Sequence, residues 1–240
     1  MKFLNLLFLT VSAIVVATVA TAGSITVVSW GGAYTKSQVE AYHKPWAKKT
    51  GHTVVSEDYS GGLAEVKAQV ESGNVTWDVV DVELSDALQG CDEGILEVID
   101  PSTLPPAPDG TPATDDFMDG ALQECAVGNI VWSTIYAYDK TKFTNAPTTM
   151  ADFFNVEKFP GKRGMRKLGK AMLEMALMGD GVPASQVYDL LNTPAGVDRA
   201  FAKLDTIKDH VVWWEAGAQP PQLLADGEVT MTIVWNGRIF

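Results

Sequence analysis

Short apolar runs that end in turn residues alternate with segments of helical periodicity, and this alternation constrains the fold most. Strand patterns and helical patterns follow each other at residues 24–30, 34–49, 53–55, 62–72, 77–83 and 85–93. Ser85 is the expected N-cap of the last helix. A strand–helix series of this kind requires a parallel sheet that helices cover on both faces. The sequence therefore predicts an α/β fold.

The pattern breaks at residues 101–112, where five prolines and a glycine predict a surface loop. Residues 127–138 are strand-like, and we interpret them as the crossing out of a first lobe. A second series follows, with helices at residues 150–155, 170–178, 194–208 and 220–225 and strands at residues 211–214 and 229–235. Without a leader, the remaining length fits one large or two small domains.

Four strand patterns end in aromatic or acidic residues. Their ends read Trp30-Gly31-Gly32, Glu83-Leu84-Ser85, Trp214-Glu215 and Trp235-Asn236-Gly237. The carboxyl ends of parallel strands share one edge of a sheet, where α/β proteins bind ligands. Tryptophan faces attract cations and carboxylates bind ammonium groups, so this set predicts a site for an amine or guanidine. We interpret Trp77 and Trp213 as core aromatics.

The first 22 residues have the pattern of a cleavable secretory signal peptide. Lys2 is the only charge before an apolar stretch, and Ala20-Thr21-Ala22 supplies small residues for cleavage. A membrane anchor is the weaker interpretation, because the stretch is short and no basic flank follows it. The formal charge of −12 argues against nucleic-acid and anionic-membrane partners. We expect an exported product that lies outside the cytoplasm.

The chain contains two cysteines, Cys91 and Cys125. An even pair in an exported chain favours a disulfide, and two buried thiols are the alternative.

Signatures of catalysis, cofactor binding and metal binding are absent from the sequence. His43, His52 and His210 lack the paired spacing of a zinc site, and we interpret them as surface residues. There is no nucleophile elbow, phosphate loop or dinucleotide fingerprint. The acidic run at residues 78–86 does not have the spacing of a calcium loop. The sequence therefore predicts a protein that is not an enzyme and has neither a cofactor nor a metal.

A basic cluster has several interpretations. Its members are Lys162, Arg163, Arg166, Lys167 and Lys170. We expect them to open the helix at residues 170–178, where they could hold an anion. A solvated basic face or a surface for docking a partner is an equally good interpretation.

Several of these segments carry a family resemblance. They are Val28-Ser-Trp30-Gly-Gly, Trp77-Asp78-Val-Val-Asp-Val-Glu83, Cys91-Asp-Glu-Gly-Ile-Leu-Glu-Val-Ile-Asp100 and Asp226-Gly-Glu-Val-Thr-Met-Thr-Ile-Val-Trp235-Asn-Gly237. From about Ile25 onward the chain resembles the substrate-binding proteins of bacterial ABC importers, and most of all the spermidine/putrescine-binding type. The resemblance implies a type II periplasmic binding protein fold, with two lobes that close on a solute and deliver it to an inner-membrane ABC permease. It also leads us to expect a periplasmic monomer.

The resemblance also implies a domain organisation. The expected parts are a signal peptide at residues 1–22, lobe 1 at 23–130, a hinge crossing at 131–140, lobe 2 at 141–234 and the start of a return crossing at 235–240. Because the chain stops directly after a strand and its turn, we expect the rest of that crossing to be missing.

Carried over by position, the family's first-lobe aromatic wall matches Trp30, with Tyr34 as a looser match. The acidic pair with which polyamine binders hold an amine falls at residues 168–171, which contain no acid. Lys167 lies beside this segment and Lys170 within it, so a smaller amine, an amino-acid-like solute or an anion stays open. A secreted enzyme using Glu83 and Glu215 as an acid/base pair is the remaining alternative.

Overall fold

The computed structural model describes residues 23–239. The predicted signal peptide lies outside these residues. Within the described part, no helix combines the length and apolar character needed to cross a bilayer.

The first sheet is parallel and has three strands, in the order β2-β1-β3. They are β1 (Ser24–Ser29), β2 (Thr53–Asp58) and β3 (Val79–Val80). The third strand is shorter than the predicted run at residues 77–83. On either side of it, Asp78 and Asp81 donate backbone hydrogen bonds to Thr26 and Val28 of β1, and the carboxylate of Asp78 also accepts the N–H of Thr26 at 2.7 Å.

Helices follow the strands of the first sheet as predicted, with two differences. They are α1 (Gly32–Gln38), α2 (Lys44–Thr50), α3 (Ala64–Ser72) and α4 (Leu84–Asp92). A π-helical turn, Val39–His43, joins α1 to α2. Ser85 is not the N-cap of α4: the cap position belongs to Glu83, and the Ser85 hydroxyl instead accepts a hydrogen bond from Lys170.

A disulfide closes the segment after α4. That segment contains α5 (Ala113–Asp116) and a hairpin of β4 (Leu122–Gln123) and β5 (Ala126–Val127). Cys91 near the end of α4 is bonded to Cys125 in the hairpin turn. We call everything from β1 to β5 the first lobe.

The second sheet has four strands in the order β6-β9-β7-β8, and we call the part that contains it the second lobe. The strands are β6 (Thr134–Tyr138), β7 (Arg163–Arg166), β8 (Val211–Trp214) and β9 (Met231–Trp235). Strand β6 is antiparallel to β9, and the other pairs are parallel. Strand β6 lies inside the predicted hinge crossing at residues 131–140, and it pairs along its whole length with β9 of the second sheet. The lobe boundaries stay a prediction.

Five helices surround the second sheet: α6 (Met150–Phe154), α7 (Met172–Gly179), α8 (Val187–Leu191), α9 (Pro194–Asp205) and α10 (Gln219–Ala225). Helix α6 begins with a capping box in which Thr149 and Asp152 exchange hydrogen bonds. The main apolar core lies here, with Phe153, Met165, Leu177 and Met231 among its fully buried members.

The basic cluster does not form the start of a helix. Arg163 and Arg166 lie on the buried strand β7, with exposures of 0% and 7%, and α7 begins only at Met172. Arg163 donates to the carbonyls of Phe153 (2.6 Å), Phe159 (2.6 Å) and Gly161 (2.8 Å). Burial lowers the pKa of Arg163 to about 10. The solvated-face interpretation is therefore wrong for both arginines.

Candidate functional site

The structure brings Trp30 and Trp235 together where the two lobes meet. Trp30 follows β1 and Trp235 ends β9, and their ring centroids are 5.6 Å apart in an edge-to-face arrangement. Trp132 and Trp214 pack on Trp235 at 5.7 and 5.8 Å, and Tyr59 packs on Trp30 at 5.3 Å. The two strand ends, which are far apart in sequence, form one aromatic cluster shared by both lobes.

A glycine supports each of these two tryptophans. A Cβ atom on Gly61 would lie 2.1 Å from the ring of Trp30, and a Cβ atom on Gly217 would lie 2.1 Å from the ring of Trp235. Gly61 also has a φ of +89°, a backbone conformation that residues with a side chain rarely adopt. Both rings therefore rest directly on backbone, and sequence patterns did not reveal either contact.

Arg166 projects into this aromatic cluster from the end of β7. Its guanidinium carbon lies 5.1 Å from the ring centroid of Trp235 and 5.7 Å from that of Trp30, within the range of cation–π attraction. One terminal nitrogen donates to the carbonyl of Ser60 at 2.9 Å, and the other lies 3.6 Å from the carboxylate of Glu83. Burial lowers the pKa of Arg166, and Glu83 opposes this effect. Arg166 thus places a fixed positive charge between aromatic faces.

Lys170 reaches from the second lobe to the first. Its ammonium nitrogen lies 2.8 Å from Glu83 Oε2, 2.8 Å from Asp86 Oδ1 and 2.9 Å from the hydroxyl of Ser85. Burial lowers the pKa of Lys170, but the hydrogen bonds to Asp86 and Glu83 outweigh this and raise it above its ordinary value. Two cations of the second lobe therefore contact Glu83, which the sequence predicts as an ammonium ligand.

Arg238 connects the turn after β9 to the turn after β1. It donates to the carbonyls of Gly31 (2.8 Å) and Trp30 (2.9 Å), and its guanidinium carbon lies 6.0 Å from the ring of Tyr34. Burial, with Asp81 acting in the same direction, raises the pKa of Tyr34 to about 12. Gly31 and Tyr34 thus lie near the cluster, through an arginine that sequence reasoning did not single out.

The remaining predicted residues have different surroundings. Glu215 forms an exposed pair with Lys167 at 3.5 Å. Asn236 accepts the backbone N–H of Ser133 at 3.0 Å and so faces the start of β6. Trp214 is buried, and its indole N–H has no hydrogen-bond partner among the described residues.

The cluster borders a cleft of about 350 Å³. Its lining residues are Trp30, Ser60, Gly61, Gly62, Glu83, Asp86, Arg166, Lys167, Leu168, Lys170 and Glu215. A small space of about 20 Å³ adjoins it, lined in part by Arg166, Trp214 and Trp235. The larger cleft can accommodate a small solute, whereas the smaller space has room for about one water molecule.

Comparison with known proteins identifies the scaffold. Residues 41–240 match the family described as bacterial extracellular solute-binding protein. The chain belongs to this family. The family and the relatives described below are solute-binding proteins rather than enzymes.

A curated relative is the gamma-aminobutyric acid-binding protein of Pseudomonas aeruginosa, 52% identical over 216 residues, which are 90% of this chain and 59% of the relative. The solved structure of the binding protein MotA from A. tumefaciens B6 with glucopine matches with a TM-score of 0.82 and 38% identity, over 90% of this chain and 65% of that one. A solved GABA receptor matches with a TM-score of 0.71 and 35% identity, over 90% and 63%.

These matches show the two-lobed α/β fold of ABC-transporter binding proteins. The chain spans 59% of the length of the curated relative. The family is therefore shown, whereas the finer spermidine/putrescine branch is not.

Two further interpretations of single residues are wrong. Trp213 is 48% exposed, because successive side chains of β8 point to opposite faces and Trp214 takes the inward position. His43 is buried and bonds the hydroxyl of Ser56 at 2.8 Å, so it is not a surface residue. Trp77 is half-buried against Tyr59 at a centroid distance of 5.5 Å.

Among the described residues, no group of three or more His, Cys, Asp or Glu side chains is placed to hold a metal.

Proposed function

We propose that this chain is the solute-binding component of an ABC importer and that it captures a small amino-acid-like solute with one amine and one carboxylate. The observation that carries the proposal is the position of Arg166, a buried guanidinium between Trp30 and Trp235 and beside Glu83. Such a site offers both signs of charge within a few ångströms. The names of the relatives, which include two for gamma-aminobutyric acid, support the same class of ligand.

The two lobes contribute opposite charges to the cleft. Glu83 and Asp86 belong to the first lobe, and Arg166, Lys167 and Lys170 belong to the second. Glu215 also belongs to the second lobe, where it pairs with Lys167, so that side of the cleft keeps a net positive charge. A zwitterion satisfies both sides, whereas a ligand with amines alone meets like charge on the second lobe. This is why we favour an amino-acid-like solute over the polyamines of the resembling branch.

An orientation of the ligand follows from the donors and acceptors. We propose that the carboxylate binds the planar fork of Arg166, a geometry suited to two parallel hydrogen bonds. The ammonium group then lies against the tryptophan faces and Glu83, whose carboxylate has acceptor sites left beside Arg166 and Lys170.

The same proposal includes the physiological setting. We propose that the protein acts in the periplasm as a monomer, that its lobes close on the solute, and that the closed form docks on an inner-membrane permease. Ligand contacts made by both lobes would favour the closed state over the open one.

A ligand panel tests the proposal by calorimetry. We expect γ-aminobutyrate to bind more tightly than butylamine, butyrate, putrescine and spermidine. Trp30→Ala and Trp235→Ala should each weaken binding at least tenfold, about 1.4 kcal/mol, through loss of the aromatic walls. Trp213→Ala is the matched control, because this ring lies on the exposed face of β8. Tighter binding of spermidine, or unchanged affinity in both wall variants, would contradict the proposal.

A further inference from the structure

The ammonium group of Lys170 has a complete set of partners on the first lobe. An ammonium has three N–H donors, and its nitrogen lies within 2.9 Å of three acceptors from Glu83, Ser85 and Asp86. Glu83 directly precedes α4, and the other two residues lie in its first turn. One short segment therefore supplies every acceptor that a primary ammonium can use.

These acceptors are costly to leave unpaired. The side chains of Glu83 and Asp86 are 12% and 13% exposed, so water reaches them poorly. A carboxylate withdrawn from water is stabilised by a cation at hydrogen-bond distance. Lys170 itself is only half-buried and borders the cleft, so this position is reachable from the cleft.

The backbone next to Lys170 is held in an unusual conformation. Ala171 has φ 67° and ψ −30°, and it is the one non-glycine residue with a positive φ in the part that the structure describes. Conformations of this kind persist where the surroundings enforce them, often at functional sites. The turn at Ala171 separates Lys170 from α7, so that the lysine extends to the other lobe while the helix packs in the core.

We propose that Lys170 is a specificity-determining residue: its ammonium fills a second amine position on the first lobe, beside the part of Glu83 that the solute amine contacts, so that the cleft accepts solutes with one amine and rejects diamines. The proposal deepens the proposed function and rests on it for the identity of the accepted solute. A diamine that placed its second ammonium at Glu83 and Asp86 would have to displace Lys170 and remain beside its charge. Removal of the lysine ammonium should leave a vacant position that a diamine can fill.

The test is a gain of binding. We expect Lys170→Met, which keeps the length of the side chain and removes its charge, to bind putrescine at least tenfold more tightly than the parent chain does in calorimetry. Lys208→Met is the matched control, since Lys208 does not line the cleft and pairs with the exposed Asp205. The double variant Lys170→Met/Asp86→Asn should lose most of the gain, because the vacant position then lacks one carboxylate.

Circular dichroism and thermal unfolding establish that the variants are folded, and Lys170→Gln replaces Lys170→Met in the same comparison if the latter does not fold. No gain in putrescine affinity in a folded variant would overturn the proposal, and so would an equal gain in Lys208→Met. These outcomes are separate from those of the proposed function. Failure of the parent chain to bind γ-aminobutyrate contradicts that function, whereas the gain of putrescine binding is measured without any amino acid present.

Discussion

The interior of the first lobe and the interior of the second are stabilised by different kinds of interaction. The second lobe has a continuous core of phenylalanine, methionine and aliphatic side chains around Phe153 and Leu177. In the first lobe the buried apolar residues that the structure describes are only Val28, Val66, Ala87 and Ala113. Larger apolar side chains of this lobe, such as Val75, Leu84 and Leu88, are about half exposed.

Polar contacts take the place of a core in the first lobe. Asp81 accepts hydrogen bonds from Gln38 and, at 2.6 Å, from the hydroxyl of Ser29. Tyr59 donates to the backbone carbonyl of Asp81, and Asn129 donates to its carboxylate at 3.1 Å. Because such bonds contribute only about 1 kcal/mol each, the first lobe should open locally before the second one does.

A matched pair of leucines tests this difference most directly. Leu177→Ala in α7 should destabilise the chain by about 4 kcal/mol, because the side chain is fully buried and leaves a cavity. Leu88→Ala in α4 removes the same atoms from a side chain that is 46% exposed, and it should cost less than about 1 kcal/mol. Denaturant unfolding monitored by circular dichroism measures both changes. Equal losses of stability would mean that the first lobe has a core comparable to that of the second.

The elements that the sequence predicts are those with clear periodicity. Strands β1, β8 and β9 and helix α9 follow their hydrophobic patterns. The patterns also place Trp30 and Trp235 at strand ends, but these strands belong to different sheets, so the meeting of the two rings depends on how the lobes pack. Strand β7 could not be found in this way, because two of its four residues are arginines.

The burial of those arginines depends on partners that are distant or irregular. Arg163 is stabilised by carbonyls of α6 and the following loop, and Arg166 by Ser60 of the other lobe. The carbonyls that bind these arginines, and the contact between Arg238 and Gly31, produce no periodic pattern in the amino-acid sequence. The strand-end aromatic residues of the site therefore follow from local pattern. The sequence also reveals the basic cluster, but its burial and its place in the site follow only from tertiary structure.

Removal of the disulfide is the second test of the difference between the lobes, and it should lower the free energy of unfolding by about 3 kcal/mol. The replacement of Cys91 and Cys125 by serine removes a crosslink over a separation of 34 residues and enlarges the conformational freedom of the unfolded chain. Because both cysteines lie in the first lobe, amide hydrogen exchange should accelerate in α4 and remain slow in α7. The serine variant treated with reductant is the control. Equal acceleration in both helices would show that the lobes unfold as one unit.

The smallest expected effect is a loss of stability in mild acid that originates in the first lobe. Burial lowers the pKa of His43, and the nearby Asp81 opposes the shift without cancelling it. In the unfolded chain this histidine has its ordinary pKa of about 6.5. As the pH falls below that value, the unfolded chain binds a proton that the folded chain still excludes, so the contribution of neutral His43 is complete above about pH 6.5 and decreases as the pH falls towards the folded pKa.

Substitution of this histidine should therefore flatten the pH dependence of unfolding. We expect His43→Gln, which is neutral at every pH, to lose less free energy of unfolding between pH 7 and pH 5 than the parent chain does. His210→Gln is the matched control, because His210 is exposed and should leave the parent profile unchanged. If the backbone amides of α4 exchange faster at pH 5 than at pH 7 in the parent chain but not in His43→Gln, the loss of stability in acid originates in the first lobe. The same acid loss in His43→Gln would instead assign it to the carboxylates of the chain.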